Sequence, residues 1–229
     1  MLYLNEELLQ AAGRDWNALI NTIKEAVFIL DAEDYAQPIK PYLKYGDPKN
    51  RIIAMPAFAG GHISLSGIKW IASFPGNLKA NLPRAHSVTI LNEASTGVPV
   101  CIINTTLISE IRTAAVTAAI LEQYIRSRSK TDYHIAIFGF GPIGKMHLEM
   151  VTNIVAEKVG KVSLFDPRGI REDDLTNYDE TVVVANSWNE IYDTADIVIT
   201  CTNSSVPFID RKPKPGSVQL NVSLRDYFP

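Results

Sequence analysis

Cysteine is scarce in this sequence, and the little that is present forms no metal-binding or disulfide pattern. The 229 residues include two cysteines, Cys101 and Cys201, which lie a hundred positions apart and outside any Cys-x-x-Cys pair. Each lies in an apolar run typical of a strand, so both are predicted to be buried thiols. We therefore expect no disulfide framework and no metal site, and a reducing compartment, the cytoplasm, is the expected location.

Excess charge and long apolar runs are also missing. The 22 basic and 25 acidic side chains give a formal net charge of −3, without the basic surface that nucleic acid or an anionic membrane requires. No apolar run approaches the length of a membrane span, and no leader-like pattern opens the sequence. With 46% hydrophobic and 21% charged residues, the composition is that of a globular protein. The expected partner is a small molecule, with no nucleic acid and no membrane.

The most informative stretch that is present is an apolar run followed by a glycine-rich turn. Residues 134–138 are typical of a strand, and the residues after the turn have the apolar spacing of a helix. The turn has the pattern G-x-G-x-x-G and contains these residues: Gly139, Gly141, Pro142, Ile143 and Gly144. A strand, turn and helix of this kind can bring backbone N–H groups against a pyrophosphate. The alternative is that the glycines only permit a tight turn.

A second strand, residues 161–165, strengthens the prediction of a dinucleotide site. It ends in Asp166, 22 residues after Gly144, where an acid can hold a ribose diol. Arg168 could accept the 2′-phosphate of NADP, but Asp166 would repel that phosphate, so NAD is favoured over NADP. A later apolar strand, residues 195–202, ends on the cofactor side of the sheet. Its end carries further candidate cofactor-binding residues: Thr200, Cys201 and Thr202.

The first half of the sequence has a different organisation. A helix is expected within residues 1–30, with Asp15 as its N-cap. Its predicted packed face consists of Leu19, Ile20, Ile23, Val27 and Leu30. Several strands joined by short turns predict a largely antiparallel sheet, and a long helix covers residues 106–122. The polar run after this helix predicts an α+β domain, residues 1–128, followed by an α/β Rossmann-type dinucleotide-binding domain, residues 129–229. Since such a domain normally has further elements beyond the last strand seen here, we expect it to be incomplete at the C-terminus.

Cationic side chains in unusual contexts are candidates for binding a carboxylate. Lys69 is embedded in an apolar strand-like run, where it either extends to solvent or is held partly desolvated at a site. Arg112 lies among alanines on the long helix, and it either binds a carboxylate through two hydrogen bonds or faces solvent. Lys40 shares one face of a proline-flanked extended segment with Lys44, for which a solvated edge strand is the alternative.

Short motifs throughout the chain occur in the order found in a known family. They are residues 67–69 (Gly-Ile-Lys), 74–77 (Phe-Pro-Gly-Asn), 96–99 (Thr-Gly-Val-Pro), 112–115 (Arg-Thr-Ala-Ala), the glycine turn, and 195–198 (Ala-Asp-Ile-Val) with Thr200 and Thr202. In these residues the sequence resembles the ornithine cyclodeaminase/μ-crystallin family. Residues 37–44, 68–71 and 223–226 look most like one branch of it, dehydrogenases of 2,3-diaminopropionate biosynthesis. These oxidise N-(2-amino-2-carboxyethyl)-L-glutamate with NAD and release 2,3-diaminopropionate and 2-oxoglutarate.

The resemblance implies roles for particular residues. By position, Lys69 matches the family's substrate-binding lysine and is a candidate for proton transfer, and Arg112 matches the arginine that holds the substrate α-carboxylate. Lys40 falls where many members have another carboxylate-binding arginine. Asp226 falls where cyclodeaminases have their catalytic acid, and Thr113, in the arginine motif, is a candidate cofactor-binding residue.

The resemblance also implies a homodimer, a first domain used for substrate binding and dimerisation, and an amino-acid-derived substrate. Ile53 stands where cyclodeaminases tend to carry a glutamate, which weakens the cyclodeaminase interpretation. Two alternatives stay open. One is an ornithine cyclodeaminase, which forms proline and ammonia, and the other is a nucleotide-binding protein without turnover, as crystallins of this family suggest.

Overall fold

The computed structural model describes all 229 residues, and the chain divides into two compact units, Met1–Ser109 and Glu110–Pro229. The domain boundary expected between residues 128 and 129 stays a prediction. None of the helices is both long and apolar enough to cross a membrane.

The first unit is built on a seven-stranded sheet. Its elements in chain order are β1 Leu2–Asn5, α1 Glu6–Ala11, α2 Trp16–Asp31, β2 Tyr35–Ala36, β3 Tyr42–Leu43, β4 Arg51–Ala59, β5 Leu65–Ser73, β6 Ala85–Glu93 and β7 Pro99–Asn104. The strand order is β1-β7-β6-β5-β4-β2, and β3 also pairs with β4. Every pair is antiparallel except β1 with β7, so the predicted antiparallel character is confirmed.

Helix α2 begins where its cap was predicted, but it does not bury the predicted face. The Asp15 carboxylate accepts a hydrogen bond from the N–H of Ala18 at 3.1 Å, which satisfies one of the free N–H groups of the first turn. The buried side chains of the helix are Trp16, Ile20 and Ile29. Val27 and Leu30 are 58% and 49% exposed, so the prediction was wrong for them. The helix carries apolar residues on more than one side, and the spacing alone did not select the side that packs.

Gly67 does not interrupt its strand, because β5 continues through it. A Cβ at Gly67 would lie 2.3 Å from the carbonyl oxygen of Ile90, so the glycine allows β6 to approach closely. Two residues further on, Lys69 pairs with Met55 of β4 and Thr89 of β6, which places it in the interior of the sheet rather than at an edge.

The second unit has a five-stranded sheet in which every pair is parallel. Its elements follow the long helix α3 Leu107–Arg126 and are β8 Tyr133–Phe138, α4 Pro142–Ile154, β9 Val159–Phe165, β10 Val182–Val184, α5 Trp188–Tyr192, β11 Ile197–Thr200 and β12 Val218–Asn221. The spatial order β10-β9-β8-β11-β12 is third, second, first, fourth, fifth along the chain. This is the Rossmann order, and its direction reverses between β8 and β11. Ligands of such sheets bind at this reversal, outside the carboxyl ends of the strands.

Candidate active site

The glycine turn lies at the reversal point because β8 ends there. Gly139 has a φ of +88°, a left-handed conformation that favours glycine. A Cβ at this position would lie 2.8 Å from the carbonyl carbon and oxygen of Cys201 and 2.9 Å from the Cα of Thr202. Gly139 therefore allows the backbone at the end of β8 to pack directly against the backbone that leaves β11.

The other two glycines of the turn have different tasks. A Cβ at Gly144 would lie 2.0 Å from the carbonyl oxygen of Gly139, so α4 can pack against the turn only without a side chain there. Gly141 precedes α4 and faces open space, since its Cβ would meet only Nη2 of Arg168, at 3.9 Å.

The start of α4 is suited to an anion. No side chain accepts a hydrogen bond from its first N–H groups, and Pro142 occupies the first turn. Such a helix end carries partial positive charge and donors directed outward. The open space at Gly141 and the uncapped helix fit the pyrophosphate of a dinucleotide.

Asp166 follows β9, as predicted, and its carboxylate is closely surrounded by donors. The Phe140 N–H donates to Oδ2 at 2.8 Å, which ties Asp166 to the glycine turn. Arg168 donates its own N–H and Nε to Oδ1, at 3.0 and 2.9 Å, and Nη2 to Oδ2, at 2.8 Å. Burial opposes ionisation of Asp166, but these hydrogen bonds outweigh it and lower the pKa to about 2. The carboxylate is therefore ionised and paired with Arg168.

The segment after β11 joins the glycine turn to Asp226. The Cys201 N–H donates to the carbonyl of Phe138 at 2.6 Å, which fixes the two strand ends side by side. The Thr202 hydroxyl donates to Oδ1 of Asp226 at 2.5 Å. Thr200 is fully buried, and its hydroxyl donates to the carbonyl of Ser223 at 3.3 Å. Burial, with a smaller effect of the Asp226 carboxylate, raises the pKa of the Cys201 thiol, so this cysteine is not a nucleophile.

Asp226 is the most unusual side chain of the second unit. It is fully buried, and its Oδ2 has no hydrogen-bond partner. A buried carboxylate oxygen without a donor is unfavourable, and such groups in native proteins are associated with function or with a missing ligand. The structure thus brings together the glycine turn, the end of β11 and this aspartate, which lie far apart in the sequence.

The remaining candidates from sequence lie on other elements. Arg112 is exposed on α3, where desolvation by nearby protein lowers its pKa, although a guanidinium stays charged. Thr113 follows it and is half-buried, next to the buried Ala114. In the first unit, Lys69 is half-buried and donates to the Ser109 hydroxyl at 3.3 Å, whereas Lys40 is exposed and lies outside any strand. The functional roles of these residues stay predictions.

His147 has a structural position that sequence reasoning missed. It is fully buried on α4, with Nδ1 2.7 Å from the carbonyl oxygen of Ile143 and Nε2 2.9 Å from the hydroxyl of Thr117. The Ile143 carbonyl can only accept, so Nδ1 of the neutral ring carries the proton and Nε2 is an acceptor for the Thr117 hydroxyl, which also lies 3.3 Å from the carbonyl oxygen of Thr113. Burial lowers the pKa of His147, which keeps it neutral. This pair joins the dinucleotide helix to α3, and no local signal in the sequence indicates it.

The sheet order, the open glycine turn and the acid after β9 define a Rossmann-type dinucleotide-binding protein. Residues 12–217 match the model of the Ornithine cyclodeaminase/mu-crystallin family, and the chain belongs to that family. The family predicted from the motifs is thereby confirmed.

Comparisons with individual proteins agree with this assignment. The N-((2S)-2-amino-2-carboxyethyl)-L-glutamate dehydrogenase of Staphylococcus aureus is 32% identical over 240 residues, which cover 99% of this chain and 70% of that protein. Two solved relatives share the fold. A Delta(1)-pyrroline-2-carboxylate reductase of Thermococcus litoralis, in complex with NADH and L-proline, has a TM-score of 0.77 and 21% identity over 92% of this chain and 64% of that one. An archaeal alanine dehydrogenase dimer with bound NAD has a TM-score of 0.76 and 23% identity over 97% of this chain and 71% of that one.

These likenesses confirm the predicted fold class, and the predicted NAD cofactor agrees with the ligands of both solved relatives. The chain also spans 61% and 56% of the length of two other curated relatives, a Delta(1)-pyrroline-2-carboxylate reductase of Bacillus cereus and an alanine dehydrogenase of Archaeoglobus fulgidus.

Proposed function

We propose that this chain is an NAD-dependent dehydrogenase that cleaves the C–N bond of N-(2-amino-2-carboxyethyl)-L-glutamate, giving 2,3-diaminopropionate and 2-oxoglutarate. One observation carries the proposal of catalysis: the buried Asp226, with Oδ2 unpaired, is hydrogen-bonded to Thr202 immediately beyond the strand that adjoins the glycine turn. The choice of substrate is supported by the 32% identity to the Staphylococcus aureus dehydrogenase over 99% of this chain.

Asp226 is the proposed proton-transfer residue. The Thr202 hydroxyl holds Oδ1, so Oδ2 is the oxygen available to take a proton from water as it adds to the oxidised substrate carbon. The same carboxyl then returns the proton to the nitrogen that leaves as 2,3-diaminopropionate. Bound NAD supplies the acceptor for the hydride from the substrate Cα.

Cations of the chain are the proposed ligands of the substrate, which carries carboxylates at both ends. Arg112 can bind a carboxylate through two parallel hydrogen bonds. Lys69 is half-buried in the interior of its sheet, where a charged group is less screened than at the surface. Lys40 is the proposed third ligand, and its exposure predicts the weakest contribution.

The proposed setting is a cytoplasmic homodimer that binds a small amino-acid-derived substrate and neither nucleic acid nor membrane. The free cysteines and the net charge of −3 support this proposal. The dimer is supported by the alanine dehydrogenase relative, which was solved as a dimer.

The test is to incubate the purified protein with NAD and synthetic N-(2-amino-2-carboxyethyl)-L-glutamate. The expected result is a rise in absorbance at about 340 nm, the absorption of the reduced nicotinamide, with 2,3-diaminopropionate and 2-oxoglutarate in equal amounts. Asp226→Asn should lower turnover by at least about 100-fold and leave NAD binding intact. The matched control is Asp193→Asn, which removes an exposed carboxylate paired with Arg211 and should leave turnover unchanged.

Two other outcomes would each replace the proposal. Conversion of ornithine to proline and ammonia without net NADH would indicate a cyclodeaminase. Binding of NAD with no absorbance change for any amino-acid substrate would indicate a nucleotide-binding protein without turnover.

A further inference from the structure

The Asp166 carboxylate has no acceptor position left for a ribose. A carboxylate offers about four lone-pair sites, two on each oxygen. Arg168 occupies two sites on Oδ1 and one on Oδ2, and the Phe140 N–H occupies the other site on Oδ2. The Asp166 side chain is only 4% exposed, while that of Arg168 is 62% exposed. A ribose diol therefore meets the guanidinium before it meets the carboxylate.

Arg168 also reaches the cofactor side of the glycine turn. Its Nη2 lies 3.9 Å from the position that a Cβ on Gly141 would occupy, on the open side of the turn where the pyrophosphate is expected. A guanidinium has five N–H donors, and the fork to Asp166 uses Nε and Nη2. The Arg168 side chain is 62% exposed, so its remaining donors can bind a further anion without breaking the hydrogen bonds to Asp166.

The ion pair between Arg168 and Asp166 removes the repulsion between Asp166 and the 2′-phosphate of NADP. The predicted preference for NAD depends on that repulsion. An isolated Asp166 carboxylate repels a 2′-phosphate, whereas the Asp166–Arg168 pair has no net charge. Arginine binds phosphate through parallel hydrogen bonds, which are stronger than bonds between neutral groups. Conversely, the hydroxyls of NAD reach Asp166 only after the fork has opened.

We propose that Arg168 is the residue that sets cofactor selection: it lets the chain accept NADP by binding the 2′-phosphate, and it weakens NAD binding by covering Asp166. The inference rests on the proposed function only in assuming that a nicotinamide dinucleotide binds at the glycine turn. It concerns binding, so it can be tested without turnover.

The experiment measures the dissociation constants of NAD and NADP by isothermal titration calorimetry for the whole chain and for Arg168→Gln. Loss of one charge-assisted contact to phosphate should weaken NADP binding by about 10- to 100-fold. NAD binding should become tighter, because its ribose no longer competes with the guanidinium. The matched control is Arg211→Gln, which removes an equal charge from the same unit, where Arg211 pairs with Asp193. It should leave the ratio of the two constants unchanged.

A second variant, Asp166→Asn, separates the two partners of the pair. Asp166→Asn should weaken NAD binding, whereas NADP should bind as tightly as to the unaltered chain or more tightly. The proposal is overturned if Arg168→Gln changes both constants by the same factor, or if NADP binding does not weaken. If the unaltered chain binds neither NAD nor NADP, both the Arg168 proposal and the proposed function fail. Failure of the Arg168 proposal alone is seen only in the variants, so the two results can be told apart.

Discussion

Replacing Gly141 with alanine tests whether a pyrophosphate occupies the open side of the glycine turn. The backbone of Gly141 is extended, with φ −78° and ψ −169°, a conformation that alanine adopts without strain. The added methyl would have no protein neighbour closer than Nη2 of Arg168, at 3.9 Å. The folded chain therefore has room for this methyl group. A pyrophosphate bound at the turn would clash with it.

The expected change in stability is small because two effects oppose each other. Gly→Ala at a compatible position stabilises by about 0.4–1 kcal/mol through the unfolded chain. Alanine is a poorer N-cap than glycine, which offsets a gain of this size. A net change within about 1 kcal/mol corresponds to a shift in Tm of at most about 4 °C for a chain of this length.

Gly141→Ala should greatly weaken NAD binding with little change in stability, whereas Gly144→Ala should lower the stability of the folded chain. A methyl that prevents one N–H bond to phosphate costs about 1.5–3 kcal/mol, or about 10- to 100-fold in Kd. At Gly144 the new Cβ would lie 2.0 Å from a backbone oxygen, so the turn must shift. Overpacking of this kind costs about 1–3 kcal/mol and should lower Tm by about 2–12 °C.

Differential scanning calorimetry and titration with NAD measure both quantities. Gly76→Ala is the control, since its Cβ also meets nothing within 4 Å and Gly76 belongs to the first unit rather than to the unit that contains the turn. The reasoning is refuted if Gly141→Ala binds NAD as tightly as the unaltered chain, or if it lowers Tm as much as Gly144→Ala.

Further predictions concern buried ionisable groups. Asp226→Asn should lower turnover by at least about 100-fold, because an amide cannot take up the proton; unchanged turnover would exclude the proposed role. Burial opposes ionisation of Asp196, but hydrogen bonds from Lys130 and Lys214 outweigh it and lower the pKa to about 2. The lowered pKa of Asp196 adds about 2 kcal/mol to the free energy of unfolding above about pH 4, and this contribution is lost as the pH falls toward 2. Urea unfolding measured over this pH range should show a smaller loss of stability in Asp196→Asn than in the unaltered chain. Burial lowers the pKa of His147, so the unfolded chain binds a proton first and stability should fall below about pH 6.5. The free energy of unfolding should therefore depend less steeply on pH in His147→Asn than in the unaltered chain. An identical pH dependence would contradict the conclusion that His147 is buried as a neutral imidazole.

Several features of the fold follow from neighbouring residues alone. The cap at Asp15 and the turn at Gly139 were predicted correctly because a side-chain acceptor before a helix and a left-handed residue after an apolar strand are local requirements. The packed face of α2 was not, because Val27 and Leu30 satisfy the helical period yet remain exposed. Periodicity shows that a helix has an apolar side, while the neighbouring elements select the side that is buried.

The sequence by itself determined the family, the dinucleotide turn and the positions of its candidate ligands, since each is written in short motifs. Only the tertiary structure decided what those residues contact. Parallel pairing of β8 with β11 brings Gly139 against Cys201 and Thr202, and so places Asp226 near the turn. The fork between Arg168 and Asp166 likewise depends on which side-chain conformation the fold selects. Such contacts are fixed by strand order and packing, which residues distant in sequence decide together, and no local pattern encodes them.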